Sequence, residues 1–217
     1  MSLSMKNILW FLIVLFLGSG CRSLRLTGDA QEKLRREIAP VVERLGTFQT
    51  RGRISRFGYS VPLVSVVRLA EPDKPFTAVG ILPVGAALFH ISGCSPAELE
   101  TTFSPLVPMF AREHLFFSIR EDLYNIYAPP QNYHNLTVSQ EGIVTFQEQR
   151  NDGQKVEWTI SAPPRRLLAK ACSNALNLPS WRIDYQPDGR VHLSRTARML
   201  HLHLTPIATS AHAPQSP

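Results

Sequence analysis

The stretch SWRIDYQPDGRVHLSRTARMLHLHLT, residues 180–205, alternates apolar and polar side chains over much of its length. That period of two is typical of β-strands with one buried face. Pro187-Asp188-Gly189 is a turn sequence in its middle. Trp181, Ile183 and Tyr185 would share one face of the strand before the turn. Leu200, Leu202 and Leu204 would share one face of the strand near the end of the stretch. The stretch therefore predicts an antiparallel hairpin with one apolar side.

The same period of two appears in two other parts of the chain. Residues 47–92 contain four strand-like segments with Gly or Pro between them: TFQTRGRISRFGYS, VPLVSVVRLAE, PFTAVGIL and AALFHIS. Strand patterns resume near residue 136, where Asn151-Asp152-Gly153 is a strong hairpin signal between IVTFQEQ and QKVEWTIS. These segments predict a sheet that is mainly antiparallel.

Helical patterns separate the strand patterns. An amphipathic helix is predicted over residues 29–45, with Gly46 ending it. Further helices are expected from Ser95, over residues 114–127, and over residues 163–176 as a crossover between strands. This order of elements predicts an α+β protein: a curved, mainly antiparallel sheet, or incomplete β-barrel, with helices covering its concave side.

The N-terminus has the layout of a secretory signal peptide. Lys6 precedes an uninterrupted apolar run over residues 8–17, and Gly18-Ser19-Gly20 and Cys21 follow. A positive flank, a short apolar region and small residues are the parts of such a signal. The run is too short to span a bilayer, which takes about 20 apolar residues. We therefore predict that residues 1–20 are a signal peptide and that the chain is exported.

Composition and motifs argue against several classes of function. The net charge is +6, but no run of five Lys or Arg residues occurs, so no nucleic-acid partner is predicted. The sequence has no phosphate-binding glycine loop and no H-E-x-x-H motif, and GYSVP around Ser60 lacks the closing glycine of G-x-S-x-G. Glu121 and Asp122 are adjacent, so on a helix they would not converge on one substrate bond. We predict no enzymatic activity, no catalytic residue and no cofactor.

Two groups of potential ligand residues have simpler explanations. His201 and His203 alternate along one strand with His192 nearby, and three imidazoles can bind zinc. No carboxylate or cysteine partner is close in sequence, so we interpret them as the outer face of a strand and predict no metal site. Cys94 and Cys172 are an even pair that can form a disulfide in an oxidising compartment. The alternative for these two residues is a pair of buried free thiols.

The segment LGSGC, residues 17–21, resembles the lipobox of bacterial lipoproteins. In that motif the cysteine thiol receives a diacylglycerol and becomes the new N-terminus. Leu17 is four positions before Cys21 here, rather than the usual three. The resemblance implies lipidation of Cys21, with residues 21–28 as a tether, and Arg22 in place of Asp implies the outer membrane. Each buried CH₂ of the acyl chains would add about 0.8 kcal/mol to membrane affinity.

Three longer segments resemble the LolA/LolB-like superfamily of lipoprotein carriers and receptors. They are RGRISRFGY after the first helix, GILPVGAALFHISG with its Pro-Val-Gly step, and the closing hairpin PSWRIDYQPDGRVHLSRTARMLHLHLTPI. The resemblance implies a half-barrel domain over residues 29–205, with helices plugging the concave side and acyl chains held in a cavity. Residues 206–217 lack apolar periodicity and are predicted to be a disordered tail.

The combined expectation is a lipid-anchored protein on the periplasmic face of the outer membrane that binds acyl chains of lipoproteins or another envelope lipid. Its partners would be the membrane, through the anchor, and a lipid or lipoprotein cargo. The candidate cavity residues are Leu63, Val67, Val79, Ile81, Phe89, Trp158, Trp181, Ile183 and Leu202. The rival interpretation is a structural or interaction lipoprotein in which the same residues form a packed core without a ligand.

Overall fold

A computed structural model gives the arrangement of most of the chain. It describes residues 24–25, 28–69, 75–94, 96–150, 153–173, 179–196 and 199–207. The signal peptide, the lipidation site Cys21 and residues 208–217 of the predicted tail lie outside these residues and remain predictions. The predicted tether, residues 21–28, is wrong in part, because Leu24–Arg25 is a strand of the sheet. The predicted disordered tail begins too early, because Pro206 ends a strand and the Ile207 N–H donates to the carbonyl of Gln49. None of the helices in the described ranges is long and apolar enough to cross a membrane.

One antiparallel sheet organises the described part of the chain. Its thirteen strands have the spatial order β1-β7-β8-β9-β10-β11-β12-β13-β2-β3-β4-β5-β6. The bounds are β1 Leu24–Arg25, β2 Gly46–Arg56, β3 Tyr59–Leu69, β4 Phe76–Ile81, β5 Ala87–Gly93, β6 Glu100–Phe103, β7 His134–Val138, β8 Val144–Gln149, β9 Lys155–Ile160, β10 Leu167–Ser173, β11 Pro179–Tyr185, β12 Val191–Arg195 and β13 Leu200–Pro206. The last strand, β13, pairs with β2, and β1 and β6 are the two edges. The sheet is open and curled, which confirms the predicted α+β class with an incomplete barrel.

Helices cover one face of this sheet. They are α1 (Asp29–Val42), α2 (Met109–His114) and α3 (Ile119–Tyr127). In α1, Leu34, Ile38 and Val42 recur at helical spacing and are buried, so this side of the helix packs on the core. In α3, Ile119 and Leu123 are completely buried. The helices therefore plug the concave side, as the sequence predicts.

The ends of the strands form two rims, named here the first rim and the second rim. The first rim contains the start of β2, the start of β10, the end of β13 and the turn at residues 186–190. The second rim contains the turns at residues 57–58 and 82–86 and the turn that includes Met199. Leu24 pairs with Val138 at the end of β7, and the next residue of β1 pairs further back along β7. The chain therefore enters the sheet from the first rim.

The segment predicted as one strand over residues 47–60 is a hairpin. β2 ends at Arg56, and Phe57 and Gly58 form the turn with φ angles of 49° and 81°. Two positive φ angles in a two-residue loop match the right-handed twist of the flanking strands. A phenylalanine rarely adopts a positive φ, so its identity gave no turn signal and only the glycine did.

Two predicted helices are wrong. Residues 167–173 form β10 and not a crossover helix, because they pair with β9 on one side and β11 on the other. These two ladders outweigh the helix propensity of the local Leu, Ala and Lys residues. After Ser95 there is one 3₁₀ turn, Pro96–Glu98, and then β6 pairs with β5. The sheet consequently has more strands than the alternation in the sequence indicates.

Cys94 and Cys172 do not form a disulfide. Cys94 is exposed after β5, and Cys172 is buried in β10. Seven strand-to-strand steps separate β10 from β5 in the sheet order. The Cys172 Sγ lies 3.3 Å from Oε1 of Gln154, so that thiol is a packed residue with a polar neighbour.

Candidate functional site

The centre of the concave face is filled with side chains. Seven of the nine predicted cavity residues are at most 2% exposed: Leu63, Val67, Phe89, Trp158, Trp181, Ile183 and Leu202. The Phe89 ring lies 5.7 Å from that of Phe116 in the segment before α3, and the Trp158 ring stacks on Phe146 at 5.5 Å. None of the nine borders the cavity described below. The seven buried residues form a packed core and do not line an open space.

Val79 and Ile81 are on the opposite face of the sheet from the other seven. They pair with Val66 and Val64 and are half-buried, whereas Ala78 pairs with the buried Val67. β4 has apolar residues on both faces, so its sequence does not reveal which set points inward. The assignment of Val79 and Ile81 to the concave face is therefore wrong.

A cavity of about 390 Å³ opens at the first rim, between the C-terminal ends of α1 and α3 and the strand ends of that rim. Its position differs from the one expected at the centre of the half-barrel. The residues around it are Val41, Val42, Arg44, Thr47, Phe48, Gln49, Thr50, Ile126, Tyr127, Arg166, Leu167, Lys170, Tyr185, Gln186, Pro187, Gly189, Val191, Pro206 and Ile207. We call this space the rim cavity.

The wall of the rim cavity is largely apolar and aromatic. The ring of Phe48 lies 5.2 Å from that of Tyr127, and Val41 and Val42 come from the last turn of α1. The Tyr127 hydroxyl is 3.5 Å from Oγ1 of Thr50. Burial raises the pKa of Tyr127 to about 12, so this phenol is neutral at physiological pH. The wall thus offers apolar surface with a few neutral polar groups, as small-molecule sites commonly do.

Lys170 is the charged group deepest in this wall. Its Nζ donates to the carbonyl oxygens of Asn125, Ile126 and Ala128 at 2.9, 3.2 and 3.1 Å. These carbonyls are at the C-terminal end of α3, where a helix lacks internal donors and carries a partial negative charge. The ammonium also lies 3.8 Å from the centre of the Trp158 ring. Burial lowers the pKa of Lys170 well below its ordinary value of 10.5, and the nearby Glu148 opposes that shift.

A second buried charge holds the N-terminal half of α3. Nε of Arg195 in β12 donates to Oδ1 of Asp122 at 2.6 Å, and the Ser118 hydroxyl donates to Oδ2 at 2.7 Å. Nη2 of Arg195 also contacts Glu121 at 3.2 Å. Asp122 is fully buried, and this burial raises the pKa of its carboxyl even though Arg195 pulls it down. The helix is therefore fixed to β12 near its start and to β10 at its end.

A polar network under α3 connects these attachments to the core. Trp158 Nε1 donates to Oε2 of Glu148 at 3.0 Å, and Arg150 Nη1 donates to Oδ1 of Asn125 at 2.6 Å. Arg150 Nε is 3.4 Å from the other Glu148 oxygen. The arrangement satisfies buried polar groups and does not place two carboxylates on a common substrate position, so it favours a structural role.

The three histidines lie on the outer, solvent-facing side of β12 and β13. His192 Nε2 is 3.4 Å from His201 Nδ1, and the rings of His192 and His203 stack at 4.2 Å. Desolvation and the neighbouring imidazoles lower the pKa values of His192 and His203. In the described ranges, no group of three His, Cys, Asp or Glu residues has an arrangement that could hold a metal ion.

Comparisons with known proteins give a likeness of fold only. No protein-family model matches the sequence, and no curated protein matches it. A LolA superfamily protein from Nitrosomonas europaea is similar with a TM-score of 0.48 and 8% identity, over 81% of this chain and 90% of that one. A DUF1329 family protein from Desulfovibrio piger gives 0.46 and 9%, over 83% and 91%. A putative outer membrane lipoprotein-sorting protein domain from Vibrio parahaemolyticus gives 0.44 and 10%, over 81% and 88%.

Proposed function

We propose that this chain is a lipoprotein of the outer membrane, anchored through Cys21 on the periplasmic side, that binds acyl chains in the rim cavity. The observation that carries the proposal is the cavity itself. Its volume of about 390 Å³ falls in the range of small-ligand sites, roughly 300–1,000 Å³. Its wall combines aliphatic residues with the Phe48–Tyr127 ring pair. An acyl chain buried there gains about 0.8 kcal/mol for each CH₂ removed from water.

The position of the cavity agrees with an anchored carrier. Three peptide units separate Cys21 from Leu24, a reach of at most about 11 Å. β1 enters the sheet from the first rim, which is also the rim where the cavity opens. A lipid anchor on Cys21 would therefore hold the cavity mouth near the membrane. No turnover chemistry is part of this proposal, since transfer of a bound lipid needs only a difference in affinity between donor and acceptor.

Filling the cavity should abolish acyl binding. Val41→Trp adds an indole to the cavity wall from the last turn of α1, and we expect at least a tenfold loss of affinity for a fluorescent fatty acid, because about two buried CH₂ contacts already account for that factor. The measurement is fluorescence titration of delipidated protein. Ala30→Trp, at the exposed start of the same helix, is the matched control and should bind like the parent. A delipidated parent protein that binds no fatty acid would reject the proposal.

The anchor is testable independently of the cavity. Mass spectrometry of the mature N-terminus should find a thioether-linked diacylglycerol on Cys21, and Cys21→Ala should move the protein from the membrane fraction to the soluble fraction. Two or more acyl chains give stable anchoring, which one chain does not. An intact Met1, or a mature N-terminus at another residue, would contradict this part of the proposal.

A structural or interaction lipoprotein is the second candidate, and the solid packing of the concave centre favours it. Large apolar side chains are also exposed along the second rim, each between 51% and 86%: Phe57, Tyr59, Val84, Leu106, Met109, Phe110 and Met199. A protein of this kind would offer that rim to a partner and would bind no lipid. The fatty-acid titration separates the two candidates.

A further inference from the structure

The charges around the rim cavity have one sign. Arg44, Arg166 and Lys170 belong to its lining, and no Asp or Glu does. Positive charge gathered at the mouth of an apolar cavity attracts ligands that carry an anionic group.

The three cations are not equivalent. The ammonium of Lys170 has three N–H donors, and three carbonyl oxygens of the α3 end accept them. Arg44 and Arg166 are exposed, and within the described ranges neither guanidinium makes a hydrogen bond or ion pair with another side chain. Arg165, next in sequence to Arg166, instead pairs with Glu37 at 2.7 Å. The donors that remain open to a ligand are therefore those of Arg44 and Arg166.

Both arginines are exposed members of the cavity lining, so they lie on its solvent side. Arg44 follows the last turn of α1, and Arg166 immediately precedes β10, so they approach the mouth from two different elements. The Arg44 charge also opposes the rise that burial causes in the pKa of Tyr185, a residue of the same wall. Guanidinium donors match carboxylate and phosphate oxygens in geometry as well as charge.

We infer that the ligand of the rim cavity is an anionic amphiphile, whose apolar chain occupies the cavity and whose carboxylate or phosphate is bound by Arg44 and Arg166. This inference rests on the proposed acyl-chain function and adds the chemical class of the ligand. The apolar wall supplies most of the affinity, and the two arginines select the charged head. A neutral lipid of the same chain length would leave both guanidinium groups in water and would bind more weakly.

The first experiment compares palmitate with methyl palmitate, which have the same acyl chain but carry a carboxylate and an uncharged methyl ester as their heads. Displacement of the neutral probe N-phenyl-1-naphthylamine from delipidated protein at neutral pH gives both affinities. We expect palmitate to bind about tenfold more tightly, as for two partly solvated ion pairs. That preference should shrink at high salt, which screens exposed charges. A second pair, lysophosphatidylglycerol and the uncharged monoacylglycerol of the same chain length, tests a phosphate head in the same way. Tighter binding of the phospholipid would extend the anion preference to phosphate, and equal binding would restrict it to carboxylate.

Two double variants test which arginines cause the preference for palmitate over its methyl ester. Arg44→Gln with Arg166→Gln should bring palmitate down to the affinity of its methyl ester and leave the ester unchanged. Arg53→Gln with Arg68→Gln removes two exposed arginines of β2 and β3 that do not line the cavity, and it should preserve the preference. Equal binding of acid and ester by the parent, or a preference that survives in the Arg44/Arg166 variant, would overturn this inference alone. Absence of binding by every lipid would overturn the acyl-chain function as well.

Discussion

An Arg195→Met variant should lose about 3–5 kcal/mol of the free energy of unfolding, because it leaves the carboxylate of Asp122 buried without its cation. Asp122 is 0% exposed, and Arg195 Nε lies 2.6 Å from its Oδ1. The Ser118 hydroxyl would be the main donor left to that carboxylate. The measurement is urea denaturation followed by tryptophan fluorescence. A variant within about 1 kcal/mol of the parent would show that the pair contributes no more than a surface ion pair.

Two further variants test whether the loss of stability comes from the buried Arg195–Asp122 ion pair. Arg182→Met removes an arginine of the adjacent strand whose ion pair with Asp184 is exposed at 58% and 41%, and it should cost less than about 1 kcal/mol. Replacing both members of the buried pair, as Asp122→Leu with Arg195→Met, should recover most of the loss, since two apolar side chains leave no orphaned charge. A double variant as unstable as Arg195→Met would attribute the loss to packing and not to the unpaired carboxylate.

The alternation of apolar residues predicts most of this sheet, and it fails where both faces of a strand carry the same kind of side chain. β12 and β13 have Leu193 and Leu202 inward and His192 and His203 outward, so these four residues point as their types predict. β4 offers Phe76, Ala78 and Gly80 to the core and Val79 and Ile81 to the other face. Nothing within such a segment distinguishes the two registers. The choice depends on the neighbouring strand, where Val67 pairs with Ala78.

Gly80 illustrates a contact that only the folded chain reveals. It pairs with Phe89 across β4 and β5, and a Cβ at residue 80 would lie 2.3 Å from atoms of the Phe89 ring. The aromatic ring therefore occupies the space that a side chain would need. The sequence contains the glycine, but the reason for it comes from a strand whose register is set by long-range pairing.

The buried charges carry a signal in the sequence that a search for catalytic motifs does not detect. Glu148 follows Val144 and Phe146 at the inward positions of β8, and Arg195 follows the inward Val191 and Leu193 of β12. A charged residue at a strand position where the alternation predicts an apolar side chain points inward. When it is buried there, it needs an oppositely charged or hydrogen-bonding partner, or contact with water. Such a residue can be recognised from sequence, whereas its partner cannot. Arg195 meets Asp122 across 73 residues of chain.

The rim cavity could not have been predicted, because no single element contains it. Its wall needs the ends of α1 and α3, the start of β10 and the end of β13 to meet at one rim. The position of α3 matters most, since this helix packs on the centre of the concave face and its C-terminal residues Ile126 and Tyr127 border the cavity. Lys170 holds the C-terminal end of α3 from β10, a strand whose local sequence favours a helix.

Replacing Lys170 with methionine should reduce the free energy of unfolding by about 3 kcal/mol, because it leaves backbone carbonyls at the end of α3 without a hydrogen-bond donor in an apolar environment. The carbonyls of Asn125 and Ala128 would lose their Lys170 donor, while Ile126 would keep the Tyr185 hydroxyl at 2.6 Å. Lys155→Met, at an exposed position of the neighbouring strand β9, is the matched control and should change stability by less than about 0.5 kcal/mol. Chemical denaturation of the three proteins makes the comparison.

The stability difference between the parent and Lys170→Met should change with pH in a direction that follows from the lowered pKa of Lys170. Burial lowers the pKa of Lys170 well below 10.5, so between the lowered pKa and 10.5 the unfolded chain binds more protons than the folded one. The free energy of unfolding of the parent therefore rises with pH through that window, and this contribution is absent below it. Lys170→Met lacks the effect, while the buried tyrosines contribute to both proteins and cancel in the difference. The stability gap between parent and Lys170→Met should widen as the pH is raised from about 7 toward about 10. A gap that stays constant or narrows would mean that the ammonium keeps its solvation, which contradicts a lysine enclosed by α3 and the Trp158 ring.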